Sequence, residues 1–298
     1  MLKCGMIQRG TYLLCSATLI CVSGLNDAAA QGTPSQPLAS QTVQVYLTAR
    51  GKHDAAPMLS QSELSASIDK QPAQVTSLRP VKEDKILFAL LLDTSKSEAP
   101  DAKSIRNAAM LLFQSLSKGG NQGYLVLFNS EVSTSKRPLQ PSEAQEIING
   151  AKFRPGTELY DAIGETCTGI LSRSGNPDFP RRLIILITDG EDNSSHINHI
   201  QAEEAAEKEG VAIFSLADTT NEGIGASFLD QASGTTGGRS IKIKRPEDDV
   251  APLLDAINRQ WILSLVPQKA PDKELHSIVI KTKQRDVSIS SPAKVFLN

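Results

Sequence analysis

Apolar residues follow two regimes along this chain. Between residues 85 and 261, short and almost unbroken apolar runs alternate with stretches in which apolar side chains recur every three or four positions. Ile86 to Leu92, Tyr124 to Phe128, Leu183 to Thr188, Val211 to Leu216 and Arg239 to Ile243 have the length and composition of strands. The spacing of Ile105, Ala109, Leu112 and Leu116 predicts a helix stopped by Gly119-Gly120. Further helices are predicted from Ser142, with Gln145 completing a capping box, and over Leu159 to Leu171. Others run from Ser195 to Glu209 with Gly210 as the stop, over Ala226 to Ser233, and from Pro246 to Trp261. Strands apolar on both faces and joined by helices predict an α/β fold: a doubly wound, mainly parallel sheet with helices on both faces. Val132 to Arg137, a short turn after Phe128, adds one antiparallel edge strand and brings the sheet to six.

The flanks are patterned differently. Val43, Val45 and Leu47 alternate with polar residues, and Leu64 to Ile68 and Val75 to Val81 predict two more short strands around a turn at Asp69 to Pro72. After Trp261, strands return at Ile262 to Val266, Ser277 to Thr282 and Val287 to Ser290. Sheets this small need partners to be stable. The two flanks, 41–84 and 262–298, are therefore expected to pair into one small all-β domain, with the α/β domain of 85–261 inserted between them.

The N-terminus adds a location. Lys3 and Arg9, the apolar stretch Thr11 to Leu25 and the small residues Ala28-Ala29-Ala30 have the layout of a cleavable signal peptide over 1–30. That apolar stretch is short against the roughly 20 residues that a spanning helix needs, and no later segment could span a bilayer. An exported protein, periplasmic or secreted, is expected, with 31–40 as a Pro- and Ser-containing linker. Cys4, Cys15 and Cys21 fall in the leader, so only Cys167 remains and no internal disulfide can form. Cys167 shares a helical face with Ile163, Ile170 and Leu171, the setting of a buried small hydrophobe. With 40% hydrophobic and 21% charged residues the chain can bury a substantial core, and a net charge of -2 without a basic run argues against nucleic acid as a partner.

The candidate chemistry lies where strands end. Ile86 to Leu92 runs into Asp93-Thr94-Ser95-Lys96-Ser97, at the carboxyl end of a strand, where open α/β sheets place their ligands. Asp-x-Ser-x-Ser puts one carboxylate and two hydroxyls on one tight loop, all of them hard oxygen donors suited to Mg²⁺. A second strand, Leu183 to Thr188, ends in Asp189-Gly190-Glu191-Asp192, and Thr157 follows Gly156 at a helix start. Asp93, Thr157 and Asp189 each have a plain role when taken singly, as helix caps or a turn residue. Their joint presence with Ser95 and Ser97 points to a cation. Glu191 and Asp192 read as a solvated loop, and His196 and His199 as exposed helix residues, since no third soft ligand lies near them. Asn193-Ser194-Ser195 matches a glycosylation acceptor and serves equally as a helix start.

The set Asp93, Ser95, Ser97, Thr157 and Asp189 resembles the metal-ion-dependent adhesion site of von Willebrand factor A domains, with all five motif positions filled. The resemblance extends from about Lys85 to Trp261 and includes Gly237-Gly238 before the last strand. The flanks are similar in character to those of a bacterial exported group described as von Willebrand factor A-related domains. The resemblance implies that Ser95, Ser97 and Thr157 hold Mg²⁺ (with Mn²⁺ or Ca²⁺ as alternatives) through their hydroxyls, while Asp93 and Asp189 act directly or through water. Because most of those donors are neutral, the ion keeps an attraction for an outside carboxylate. The expected partner is thus a protein or peptide presenting Asp or Glu. In the family such exchange accompanies movement of the last helix, here Pro246 to Trp261. Two other functions compete: an envelope scaffold whose metal only stiffens the loop, and a metal-dependent hydrolase. The hydrolase lacks any nucleophile and base pair near the motif. A dinucleotide site is disfavoured because the turn after the first strand lacks G-x-G-x-x-G.

Overall fold

The computed structural model describes residues 42–82, 84–176, 178–218, 224–243 and 249–298. The expected leader (1–30), the linker (31–40) and Pro246 lie outside the described residues. The described residues form one compact unit.

The chain opens with β1 (Val43–Arg50), β2 (Leu64–Ile68) and β3 (Gln71–Pro80). The α/β alternation follows: β4 (Ile86–Asp93), α1 (Ala102–Leu116), β5 (Gln122–Phe128), β6 (Val132–Thr134), α2 (Pro141–Gly150), α3 (Leu159–Thr168) and β7 (Arg181–Thr188). It continues through α4 (His199–Glu209), β8 (Val211–Asp218), α5 (Ile224–Thr235), β9 (Arg239–Ile243) and α6 (Val250–Asn258). β10 (Trp261–Val266), β11 (Leu275–Thr282), β12 (Ser288–Ser290) and β13 (Lys294–Phe296) close the chain.

The six-stranded sheet has the order β6-β5-β4-β7-β8-β9, parallel throughout except for the β5–β6 edge. Every residue of its two central strands, β4 and β7, is buried. Strand alternation divides their side chains between two cores. Phe88, Leu90 and Leu92 pack against α1 and α6, whereas Leu87, Ala89 and Leu91 pack against α3, α4 and α5. A sheet covered on both faces leaves only its rims for binding, and the carboxyl ends of β4 and β7 meet at one of them.

The flanks pair as expected, and more closely than two adjoining hairpins would. The second sheet is antiparallel with the order β12-β1-β10-β3-β2-β11-β13, so strands from before and after the α/β segment interleave. Its seventh strand, β13, is too short to show a period in sequence. Arg181, fully buried at the start of β7, joins the two sheets: its Nε and Nη2 donate to Gln260 Oε1 (3.0 and 2.8 Å), and Nη2 also donates to Ile257 O. Gln260 Nε2 in turn donates to Gly237 O, which also accepts from the β1 hydroxyl of Thr48.

Several boundaries differ from the expectation, each for a local reason. α2 starts at Pro141 rather than Ser142; Glu143, not Gln145, folds back to accept from the backbone N–H of Gln140 (2.9 Å). α4 starts at His199 rather than Ser195, capped by Asn198 and Gln201 in reciprocal bonds, because the preceding residues are held in a loop by tertiary contacts. Trp261 does not end the last helix. It begins β10, where it pairs with both Leu47 and Pro80.

Candidate metal centre

The strand–loop junction at Asp93 is ordered by its own polar groups. Asp93 is fully buried, and its Oδ1 accepts from the backbone N–H of Ser95 at 2.7 Å, which closes the tight turn. That turn brings the Ser95 and Ser97 hydroxyls within 2.9 Å of each other. Thr94 points the other way, its N–H and hydroxyl both donating to Phe128 O at the end of β5. Residues 96–101 then form a 3-10 turn that folds Glu98 inward, 3% exposed.

Three loops meet around this turn. The second carries Thr157 and is tied to the first by Arg154 N–H donating to Thr94 O (2.8 Å) and by a parallel bridge between Ser95 and Arg154. Gly156, with φ of +90°, lies so close to Ser130 that a Cβ would stand 2.6 Å from the serine Cβ, and this approach places the buried Thr157. The third loop follows β7. Because Leu92 pairs with Ile187, Asp93 and Asp189 leave the sheet side by side, and the Thr188 hydroxyl donates to Asp93 Oδ2 at 2.6 Å. The same Thr188 oxygen accepts from Gly190 N–H. The second and third loops are also joined directly: Asn193 Oδ1 accepts from Thr157 N–H at 3.0 Å, and Thr157 O accepts from the N–H groups of Asn193 and Ser194.

Carboxylate oxygens of Asp93, Glu98 and Asp189 all lie within 4.8 Å of one another. Burial pushes the Asp93 carboxyl up to about 6; hydrogen bonds from Thr188 and Ser95 oppose the rise, and the Asp189 charge adds to it. A site that collects negative charge in a buried, oxygen-only setting has the donor chemistry of a hard divalent cation, whose charge would relieve the crowding. The structure therefore brings Asp93, Ser95, Ser97 and Asp189 to one rim and packs the Thr157 loop against them.

Three acids carry roles beyond the sequence expectation. Glu98 gives the cluster a third carboxylate; its nearness to Asp-x-Ser-x-Ser was the available signal, but the 3-10 turn that folds it inward has no helical period. Asp192 is not simply solvated: its carboxylate accepts from Tyr160 N–H at the first turn of α3 and from the Ser195 hydroxyl. Asp161 accepts from His196 and Ile197 N–H and from the His196 ring, fixing the far side of the loop. Although solvated, His196 is thereby committed to Asp161, and His199 lies beside Tyr160 and Phe228. Cys167 is fully buried, and burial pushes its thiol well above the ordinary range.

The family model of the von Willebrand factor type A domain matches residues 88–243. Among solved structures, proximal thread matrix protein 1 from the mussel byssus aligns at a TM-score of 0.50 and 16% identity, covering 61% of this chain and 50% of that one. A von Willebrand factor type A protein from Catenulispora acidiphila aligns at 0.49 and 11% identity, covering 88% and 74%. The manganese-loaded TRAP protein of Plasmodium vivax aligns at 0.46 and 17% identity, covering 72% and 96%. The chain spans about half the length of the byssus protein it matches. No curated protein sequence matches it.

Proposed function

This chain belongs to the von Willebrand factor type A domain family, and from that premise we propose that it is a divalent-cation-dependent binding module that captures a carboxylate of a partner protein. The observation that supports this reading is the closed triangle of loops at 93–97, 154–157 and 188–194, each hydrogen-bonded to the others, around a cluster of oxygen donors in which Asp93, Ser95 and Thr157 are buried, Asp189 is half-buried and Ser97 is exposed. In this reading Ser95, Ser97 and Thr157 offer hydroxyls to the cation, while Asp93 and Asp189 hold it directly or through water. Mg²⁺ suits such a set, with Mn²⁺ and Ca²⁺ as further occupants. When bound, the ion supplies an electrophilic point of attachment. The chain contributes rigidity: Thr188 and the Ser95 N–H fix the Asp93 carboxylate, and Asn193 fixes the Thr157 backbone. A preorganised site of this kind loses little freedom when a partner's Asp or Glu arrives.

The leader of 1–30 makes this an exported module, acting in the periplasm or outside the cell. Calorimetric titration of the mature chain with Mg²⁺ and Mn²⁺, paired with affinity capture from envelope extract in Mg²⁺ or EDTA, tests the reading. Cation binding that disappears in Asp93→Ala, with partners retained only in Mg²⁺, is expected. Partners captured equally well in EDTA would sink it, and cation binding without any cation-dependent partner would leave only a stiffened scaffold.

A further inference from the structure

Away from the metal rim, a cavity of about 390 Å³ opens between the first half of β1, the end of α4 and the start of β8, and β13. Its size falls in the range of small-ligand pockets. β1 pairs with β10 along Val43–Leu47, but its other edge meets β12 only from Thr48, so among the described residues no strand pairs with the Val43–Val45 edge that lines this space. Val43, Val45, Pro180, Val211 and Phe296 give the wall an apolar character.

Two guanidiniums enter the same cavity. Arg182 is 7% exposed; its Nε and Nη1 donate to the carbonyls of Glu209 and Phe179, and its Nη2 has no hydrogen bond among the described residues. Arg173 reaches the same spot from the loop before β7, making one long contact from Nη2 to Lys208 O (3.4 Å), while its buried Nε has no hydrogen-bond partner among the described residues. The two converge on Gly210. A Cβ there would stand 2.6 Å from Arg173 Nη2 and 3.8 Å from Arg182 Nη2, so the missing side chain is what lets both groups approach. Neither arginine forms an ion pair with a carboxylate among the described residues. Glu209 uses its carboxylate on the backbone N–H of Arg173 (2.6 Å), and Glu207, also in the wall, is matched with Lys294 at 3.6 Å. Two like charges side by side and half removed from water are stable only when something offsets their repulsion. Backbone carbonyls and the charge of nearby Glu209 do so in part. Arg182 Nη2, which has no hydrogen bond among the described residues, and Arg173 Nη2, held only by its long contact, both lie beside Gly210 in the lining of a space large enough for a ligand.

We propose that this cavity is a binding site for a small organic anion, a carboxylate carried on an apolar body, with Arg173 and Arg182 taking the acid group and the Val43–Val45 and Phe296 walls taking the body. Planar guanidiniums match a carboxylate in two-point geometry, and the wall composition excludes a fully hydrated ion as the best occupant. This site is separate from the metal rim and does not depend on it.

Octanoate, octanol and inorganic phosphate serve as probes in calorimetry and thermal-shift measurements on the mature chain, alongside Arg173→Gln, Arg182→Gln and Asp93→Ala. Octanoate is expected to bind the wild type, and octanol much more weakly. Octanoate affinity should fall about tenfold or more in each arginine variant and stay unchanged in Asp93→Ala and in EDTA. Arg173→Gln, on the more exposed side chain, retains the fold if Arg182→Gln does not. Equal octanoate affinity in wild type and Arg173→Gln would overturn the proposal, as would no octanoate binding at millimolar concentration. Phosphate binding without octanoate binding would overturn the apolar-body assignment.

Discussion

The Thr188 hydroxyl stands 2.6 Å from Asp93 Oδ2 and at the same time accepts the Gly190 N–H, so one side chain couples the ends of both central strands. Thr188→Val keeps the shape and removes both bonds. Partners that orient a ligand carboxylate carry about 10- to 100-fold of metal affinity. A drop of about tenfold in Mn²⁺ affinity by calorimetry is expected, with roughly 1 to 2 kcal/mol lost in urea unfolding without metal. Unchanged Mn²⁺ affinity would show that Thr188 has only a structural role.

Glu98 places a third carboxyl group within 4.8 Å of those of Asp93 and Asp189. Glu98→Gln replaces it by a neutral amide of the same size. In Mg²⁺ the variant should gain less stability from the ion than wild type, whose stabilisation reaches about 2.7 kcal/mol at a hundredfold excess over Kd. Calorimetric melting with and without Mg²⁺ measures the two gains; equal gains would show that Glu98 has no part in holding the cation.

Gly190 has φ of +83°, and a Cβ there would lie 2.4 Å from Gly225 O, a backbone atom with nowhere to retreat. Gly190→Ala should therefore cost more than about 2 kcal/mol in chemical denaturation. By displacing the loop it should also weaken cation binding. Gly234→Ala, at a position with open space, is the matched control and should be near neutral.

The Glu207 carboxyl is pushed up to about 7 by burial, with Lys294 opposing the rise and Glu203 adding to it. A folded-state value above the ordinary one means that the native protein binds the proton more tightly. Its contribution is therefore fully present below about 4.5 and is lost as pH rises through about 7. Replacing the group by Glu207→Gln should flatten the pH dependence of unfolding between pH 5 and 8 by about 2 kcal/mol. Denaturant titrations of both chains across that window measure the difference, and parallel pH profiles would refute it.

The parts of this fold legible in sequence were those whose physics is local. β4 and β7 are fully buried on both faces, so their apolar runs announce them, and the residues following them inherit a place at the sheet rim. Asp93, Ser95 and Ser97 were legible for the same reason, as one turn after one strand. Arg181 was not: two arginines look like solvated residues before a strand, and only Gln260, 79 positions away, makes burial of the first one acceptable. The start of α4 was hidden for a similar reason, since Asp161 and Thr157 hold residues 193–197 out of the helix. Arg173 and Arg182 likewise lie too far apart in sequence to suggest a shared cavity.

Pro80 and Trp261 sit opposite each other in the β3–β10 ladder, so the chain enters and leaves the α/β segment through neighbouring strands. Paired Cα atoms are about 5 Å apart. The stretch between them is thus built like a cassette with adjoining ends: excised, it could be closed by a linker of a few residues, and grafted into another antiparallel sheet it would demand only one adjacent pair of strands. Tension applied through the flanks would be borne by the β1–β10 and β3–β10 ladders together, and these must be sheared apart before it could draw on the ends of the α/β segment.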